Sequence, residues 1–178
     1  MALEEPAAKI EVGDHPAHVV TNHEGRRAFV SDAGDDTLSV VDLDEGIVVA
    51  TIPTGDDPHG LRLSPDGQHL LVANAQDGTV SLIDVQTLGE VSRIAVGAAP
   101  VPVAFLPDGS RASVTLRDDA AVAVIDMASL KVTGRIPVGD GPIQLYAKPD
   151  GTKIFVANQG TDSAPSDEVS VIAGASGS

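Results

Sequence analysis

Apolar and polar positions alternate with a period of two over short runs, and the runs are separated by turn residues. In the stretch 61–96, LRLS is a short strand and PDG a turn, followed by HLLVAN as a second strand and AQDG as a second turn. TVSLIDV alternates as a half-buried strand should, and EVSRIAV is a fourth strand that ends at Gly97. In the PDG turn proline presets φ and glycine accepts a positive φ. Four strands joined by tight turns form an antiparallel meander, which cannot cover its own faces and has to stack on a neighbour.

The same pattern is written four times. TNHEGRRAFVSD (21–32), LSPDGQHLLVAN (63–74), FLPDGSRASVTL (105–116) and AKPDGTKIFVAN (147–158) each begin 42 residues after the last. Gly13, Gly55, Gly97 and Gly139 keep this interval, as do Gly25, Gly67, Gly109 and Gly151, and Pro16, Pro58, Pro100 and Pro142. A period of this length marks repeated supersecondary units. Helical repeats of similar length do not fit, because Gly, Pro and β-branched residues recur inside every unit.

Four-stranded units of about 40 residues are the blades of a β-propeller. The fold class expected is therefore all-β, with blades at 14–55, 56–97, 98–139 and 140–174, the last completed by residues 8–13. AKIEVG (8–13) aligns with a fourth strand and EVSVIAG (168–174) with a third, so the leading segment is expected to seal the final blade and hide its edge. Residues 1–7 and 175–178 are read as tails. The strings IPTGDDPHGLRLSPDGQHLLVANAQDGTVSLIDV and IPVGDGPIQLYAKPDGTKIFVAN resemble the YVTN-type propeller repeat over residues 9–172. The tetrapeptide itself is degenerate here, as FVSD, LVAN, SVTL and FVAN. The resemblance implies a surface-layer or periplasmic type of propeller, usually seven-bladed, in an extracytoplasmic place, with a role in adhesion, surface assembly or ligand capture. A WD-type propeller is disfavoured by the absence of tryptophan.

Ring size follows from side-chain bulk. Blades of a four-bladed ring diverge by about 90°, those of an eight-bladed ring by about 45°, and the wider wedge needs bulky residues to avoid voids. Phe29, Phe105, Tyr146 and Phe155 are the only aromatics. Such small packing suits shallow wedges, and so a larger ring, made by a homodimer with eight blades or with blades outside this chain.

Composition narrows the chemistry. With no cysteine there is neither a disulfide nor a thiolate metal site, and no C-x-x-C-H for haem. No apolar run approaches the roughly 20 residues of a membrane-spanning helix, so no membrane insertion is expected. MALEEPAAK is too short and too acidic for a secretory signal, so a cytoplasmic protein or a removed leader is expected. GASGS reads as a flexible end. The formal charge of -15 argues against a nucleic-acid partner and suits a cationic ligand or protein. Neither G-x-S-x-G nor a phosphate-cradling G-x-x-x-x-G-K occurs.

Turns before the first strand and between the second and third share one face of a propeller. That face collects Asp14, Asp32, Asp35, Asp36, Asp56, Asp57, Asp77, Asp118, Asp119, Asp140, Asp162, Asp167 and Glu168, half of the 26 acids, against Arg117 alone. Aspartate is also simply a good turn residue, and for any single one that is the plainer reading. The candidate ligand-binding residues at the channel mouth are Asp14, His15, His18, Asp56, Asp57, His59, Asp140 and Gln144. GDHPAHV and the aligned GDDPHGL bring His15, His18, Asp57 and His59 toward the channel, a donor set for a divalent metal. GAAPVPV and GDGPIQL offer no histidine, so no cofactor is expected and the metal is the lesser alternative. His23 and His69 fall near the other face, as surface residues.

The fourth repeat carries five extra residues within QGTDSAPSDE, read as a longer loop on the acidic face, with Gln159, Asp162, Asp167 and Glu168 as a partner-binding loop. Recurring Asp42, Asp84 and Asp126 are read as turn caps. The function expected is a non-enzymatic binding or assembly scaffold. The alternatives are a metal-assisted lyase or lactonase working at the channel, and a self-assembling propeller fragment.

Overall fold

The computed structural model describes residues 8–174, and all fifteen regular elements in it are strands. Blade one contains β1 (Pro16–Thr21), β2 (Arg27–Asp32), β3 (Thr37–Asp42) and β4 (Ile47–Pro53). Blade two contains β5 (Pro58–Leu63), β6 (His69–Asn74), β7 (Thr79–Asp84) and β8 (Gly89–Ala95). Blade three contains β9 (Pro100–Phe105), β10 (Arg111–Leu116), β11 (Ala121–Asp126) and β12 (Lys131–Pro137). Blade four contains β13 (Pro142–Ala147), β14 (Lys153–Thr161) and β15 (Ala164–Ala173). Each is an antiparallel meander in chain order.

The turns form where the sequence places turn chemistry. Gly25, Gly67, Gly109 and Gly151 have φ of 68°, 72°, 70° and 70°, the left-handed conformation that glycine enters without steric cost. Ahead of each of the last three, Asp66, Asp108 and Asp150 accept the backbone N–H of Gln68, Ser110 and Thr152, all at 3.0 Å. Asp42, Asp84 and Asp126 cap the turn between the third and fourth strands, accepting the N–H groups of Glu45, Thr87 and Ser129. The capping expected of this series is its geometry.

A second glycine series has a packing reason. A Cβ added at Gly13, Gly55 or Gly139 would lie 2.6 Å from Asp32, Asn74 or Asn158, and at Gly97 it would lie 2.7 Å from Leu116. Asp32, Asn74 and Leu116 end the second strand of their blades, Asn158 holds the aligned position within the longer β14, and all four are buried. Asn74 donates to Thr79 Oγ1 and Ser81 Oγ on the adjacent strand, both at 2.9 Å, and Asn158 donates to Ser170 Oγ at 2.9 Å. Asp32 accepts from Ser39 Oγ at 2.6 Å. Glycine at the entries to blades one, two and four is therefore what lets the linker cross over this buried clamp, and at blade three Gly97 crosses over the Leu116 side chain in its place.

Stacking supplies the core. Phe29, Leu38, Val40 and Ile52 of blade one pack against Leu61, Leu70, Val72 and Ile83 of blade two. Leu71, Val80 and Leu82 on the opposite face of blade two pack against Val103, Val114 and Ile125 of blade three. Ala104 and Val122 of blade three meet Leu145, Ile154 and Val156 of blade four. Innermost strands follow one another as β1, β5, β9 and β13. At Gly60 the approach is closest, since a Cβ there would sit 2.1 Å from the carbonyl oxygen of Val101.

Two expectations are corrected. Among the described residues the row of blades does not close on itself, and residues 8–13 do not complete blade four, which has three strands there. Instead Glu11, Val12 and Gly13 lie beside Thr37, Ser39, Val48 and Thr51 of blade one, at the other end of the row from β15. The physical reason is the one that disfavoured a four-bladed ring: mostly aliphatic inter-blade layers open shallow wedges, and three such layers between four blades leave an arc. The other correction concerns the extra residues of the fourth repeat. They extend the β14–β15 ladder, with Gly160 opposite Pro165 and Thr161 opposite Ala164, rather than making a longer loop.

Leu71 is fully buried between blades two and three. Leu71→Ala should cost about 2–5 kcal/mol of unfolding free energy, measured by denaturant titration. A cost below about 1 kcal/mol would mean that this layer does not hold the blades together.

Candidate functional site

The channel-mouth loops owe their shape to a repeated backbone feature. The residue ahead of each blade's first proline is left-handed: His15 at φ 48°, Asp57 at 56°, Ala99 at 47° and Gly141 at 58°. The carbonyl of each accepts an N–H from the second-strand side, from Ala33, Ala75 and Arg117 just beyond that strand and from Gln159 within the longer β14, at 2.9–3.1 Å. Non-glycine residues held this way carry strain that the surroundings must offset. Because all four blades share the feature, it belongs to the scaffold, and it fixes where the His15 and Asp57 side chains emerge.

A carboxylate ladder runs beneath these loops. Asp35 accepts the N–H of Asp14 at 2.8 Å, Asp77 that of Asp56 at 3.3 Å, and Asp119 that of Ala98 at 3.1 Å. Asp36 of blade one accepts the N–H of Asp57 in blade two at 3.0 Å. Asp35, Asp77 and Asp119 are thus turn-forming residues. Asp56, by contrast, is exposed, and partial desolvation followed by Asp36, Asp77 and Asp57 pushes its carboxyl above the usual range.

Of the histidines and Asp57 considered as metal ligands, the structure brings His18 and His59 together across blades one and two, with ring centroids 5.9 Å apart. Burial, then His59 and Arg62, holds His18 below the ordinary histidine range. His15 turns outward to Asp14, with Nδ1 3.3 Å from Oδ2. Among the described residues no group of three or more His, Asp and Glu side chains is placed to hold a metal ion. Gln144 is exposed on β13.

Two clefts open on this face. One of about 730 Å3 lies between blades two and three, lined by Asp57, His59, Asp77, Arg117, Asp118 and Arg135 among others. Another, of about 650 Å3, lies between blades three and four and joins Asp140 to Gln159 and Asp162. Asp167 and Glu168 lie on β15, outside that cleft, so the four residues read as one loop are divided.

The basic residues here are more numerous than sorting by turns suggests. Arg93 from β8 reaches Asp77 at 3.7 Å while paired with Glu90, and Arg135 from β12 reaches Asp119 at 3.2 Å. The two arginines are 42 residues apart, so the period marks them, but they sit in outer strands and not in loops. They leave Asp36, Asp56 and Asp57, at the junction of blades one and two, as the carboxylates of this face that crowd without a paired base among the described residues, beside an Asp77 that Arg93 reaches.

The YNCE-like beta-propeller family matches residues 6–115. The chain belongs to this family. No curated protein matches it. Among solved structures, Kuenenia stuttgartiensis hydrazine synthase is similar at 25% identity and a TM-score of 0.82, over 96% of this chain and 48% of that one. Proteins provisionally named 6-phosphogluconolactonase from Bacteroides uniformis and Bacteroides fragilis are similar at 18% and 20% identity, with TM-scores of 0.73 and 0.71. Each is matched over 82% of this chain and 48% of its own length. The latter two likenesses show the fold alone. This YNCE-like chain thus spans about half the length of the solved structures it matches. Membership confirms the propeller; the narrower YVTN type is not what matches.

The pH dependence of stability follows from two sets of groups. Asp66, Asp84, Asp108, Asp126 and Asp150 are held below the ordinary carboxylate range, chiefly by hydrogen bonds within their turns. Their contribution is complete above the unfolded carboxylate pKa, about 4, and is lost as pH falls through the lower folded values. His18, held low, binds its proton more readily when unfolded, so acidification below about 6.5 also destabilises. Thermal melts should show Tm falling in two stages on acidification, and His18→Gln should remove only the upper one. A Tm unaffected between pH 7.5 and 5 would contradict the histidine assignment.

Proposed function

We propose that the chain is a non-enzymatic propeller segment whose acidic loop face binds a cationic ligand or a basic protein surface. The observation carrying this reading is the junction of blades one and two. There desolvation, then the carboxylates of Asp36, Asp77 and Asp57, push the Asp56 carboxyl above its usual range, and of these only Asp77 is reached by an arginine. An arriving cation relieves that repulsion, which gives the junction a driving force that paired carboxylates such as Asp119 do not have. The strained but invariant loop backbone presents these groups from a rigid base, so little ordering is needed on binding.

The enzymatic alternative, a metal-assisted lyase or lactonase at the channel, draws on the provisional lactonase names of two structural neighbours. It requires His15, His18, Asp57 and His59 to converge, and the geometry supports only the His18–His59 pair. Binding is therefore the reading the site supports best.

Fluorescence anisotropy with a labelled oligolysine peptide tests it. Binding should weaken as salt rises toward physiological strength and beyond, and D36N/D56N/D57N, which removes three charges, should lower affinity by roughly tenfold. Equal affinity of the triple variant, or no salt-sensitive binding at all, overturns the proposal.

A further inference from the structure

At the other end of the strands, the turns of blades two and three enclose a cleft of a different character. Its volume is about 700 Å3, and it lies opposite the acidic loop face. The Ser64–Asp66 turn and His69 of blade two wall it on one side, and the turns at Asp108 and Met127 of blade three on the other. Its floor is apolar. Leu82 and Phe105 are buried there, and Met127 and Leu130 pack half-buried onto the layer between the two blades. Val91 adds an apolar side that is 58% exposed. The cleft is internal to the chain, formed by its two middle blades, and its size is that of small-molecule sites, roughly 300–1,000 Å3.

The repeat gives the reason that space opens at this junction. Two positions that carry Arg27 and Gln86 for blades one and two carry His69 and Ala128 here, 42 residues on. Long side chains are exchanged for an imidazole and a methyl group. Acids occupy the two turn positions at both junctions, Glu24 and Asp66 at the first and Asp66 and Asp108 here, so the arginine is lost while the acids are kept. Both acids are fixed in place. Asp66 Oδ1 accepts from Ser64 Oγ and from the N–H of Gln68, and Asp108 Oδ1 from the N–H and Oγ of Ser110. Those bonds hold both carboxyls below the ordinary range, so both are ionised at neutral pH. Among the described residues neither Oδ2 is hydrogen-bonded and neither acid is in an ion pair; Arg111 acts on Asp108 only from beyond that distance.

We infer that this cleft binds a small organic cation, an amine whose compact apolar body rests on Leu82, Phe105, Met127 and Leu130 while its ammonium group faces the Asp66 and Asp108 carboxylates at the rim. Charge complementarity decides the class of ligand, because His69 is the only basic side chain lining the cleft. The floor favours an apolar body, since burying it removes apolar surface from water, and Met127 offers an unbranched thioether that adapts to the shape of its occupant. Carboxylates already held by their own turns lose little freedom when the cation arrives. The site lies at the opposite end of the strands from the acidic loop face and does not depend on the reading given to that face.

Met1 and Met127 are the only methionines, so NMR of the full chain with methyl-labelled methionine places a single probe in the cleft. Titration with phenethylamine should shift the Met127 signal saturably. The neutral counterpart, phenethyl alcohol, should bind roughly fivefold more weakly, the difference made by two exposed carboxylates. Asp66→Asn combined with Asp108→Asn keeps the oxygen that caps each turn and should erase that difference. Ala128→Gln, which restores the side chain of the preceding junction, should remove the saturable shift while the β circular dichroism spectrum stays unchanged. No saturable Met127 shift with the wild-type chain overturns the inference, as does equal affinity for the alcohol or undiminished binding by Ala128→Gln. A shift produced only by a Lys-Phe-Lys peptide would assign the cleft to a protein partner, and one that grows with protein concentration alone would assign it to a second copy. Either result overturns it too.

Discussion

Burial of sheet faces between successive blades is the interaction on which everything else in this molecule rests. A four-stranded meander has two faces, and in the middle of this chain both are apolar: Leu70 and Val72 on one side of blade two, Leu71, Val80 and Leu82 on the other. Neither face can be hidden within the blade. The turn caps, the buried Asn and Asp clamps and the crossing glycines fix the register of each blade, but they do not remove apolar surface from water. Only stacking does, and the roughly 25 cal/mol per Å2 gained there is what offsets chain entropy.

The same constraint links fold to function. Because the inter-blade layers are aliphatic and thin, the blades fan out gently, and four of them form an arc. Loops at the channel mouth are therefore spread along a shallow curve and not drawn tightly around one axis. His18 and His59 meet because they belong to adjacent blades, while Asp140 and Gln144 of blade four face a different cleft or open solvent. A surface of that shape, rich in carboxylates and poor in converging donors, suits recognition of charge better than catalysis at a point.

Much of this was legible in the sequence, and the part that was not has a physical cause. The period of 42, the strand alternation and the PDG turns specify local geometry, and local geometry repeats faithfully. The capping role of Asp42, Asp84 and Asp126 could be read for the same reason. What depends on accumulated angle could not be read locally. Residues 8–13 align with a fourth strand, but whether they reach blade four of the same chain depends on the sum of three inter-blade rotations. The site was legible only in outline. Turn sorting placed the acids but missed Arg93 and Arg135, whose long side chains reach the loop face from outer strands. It also took five extra residues for a loop where a two-residue tip and a longer ladder were available.

Hydrogen exchange in dilute solution, resolved by strand, puts the central dependence on stacking to the most direct test. Strands β6, β7, β10 and β11, covered on both faces, should exchange last and together, with β1 and β15 opening well before them. Equal protection of all four blades in dilute solution, or slowest exchange in blade four, would contradict the account, since each blade would then be holding itself together without its neighbours.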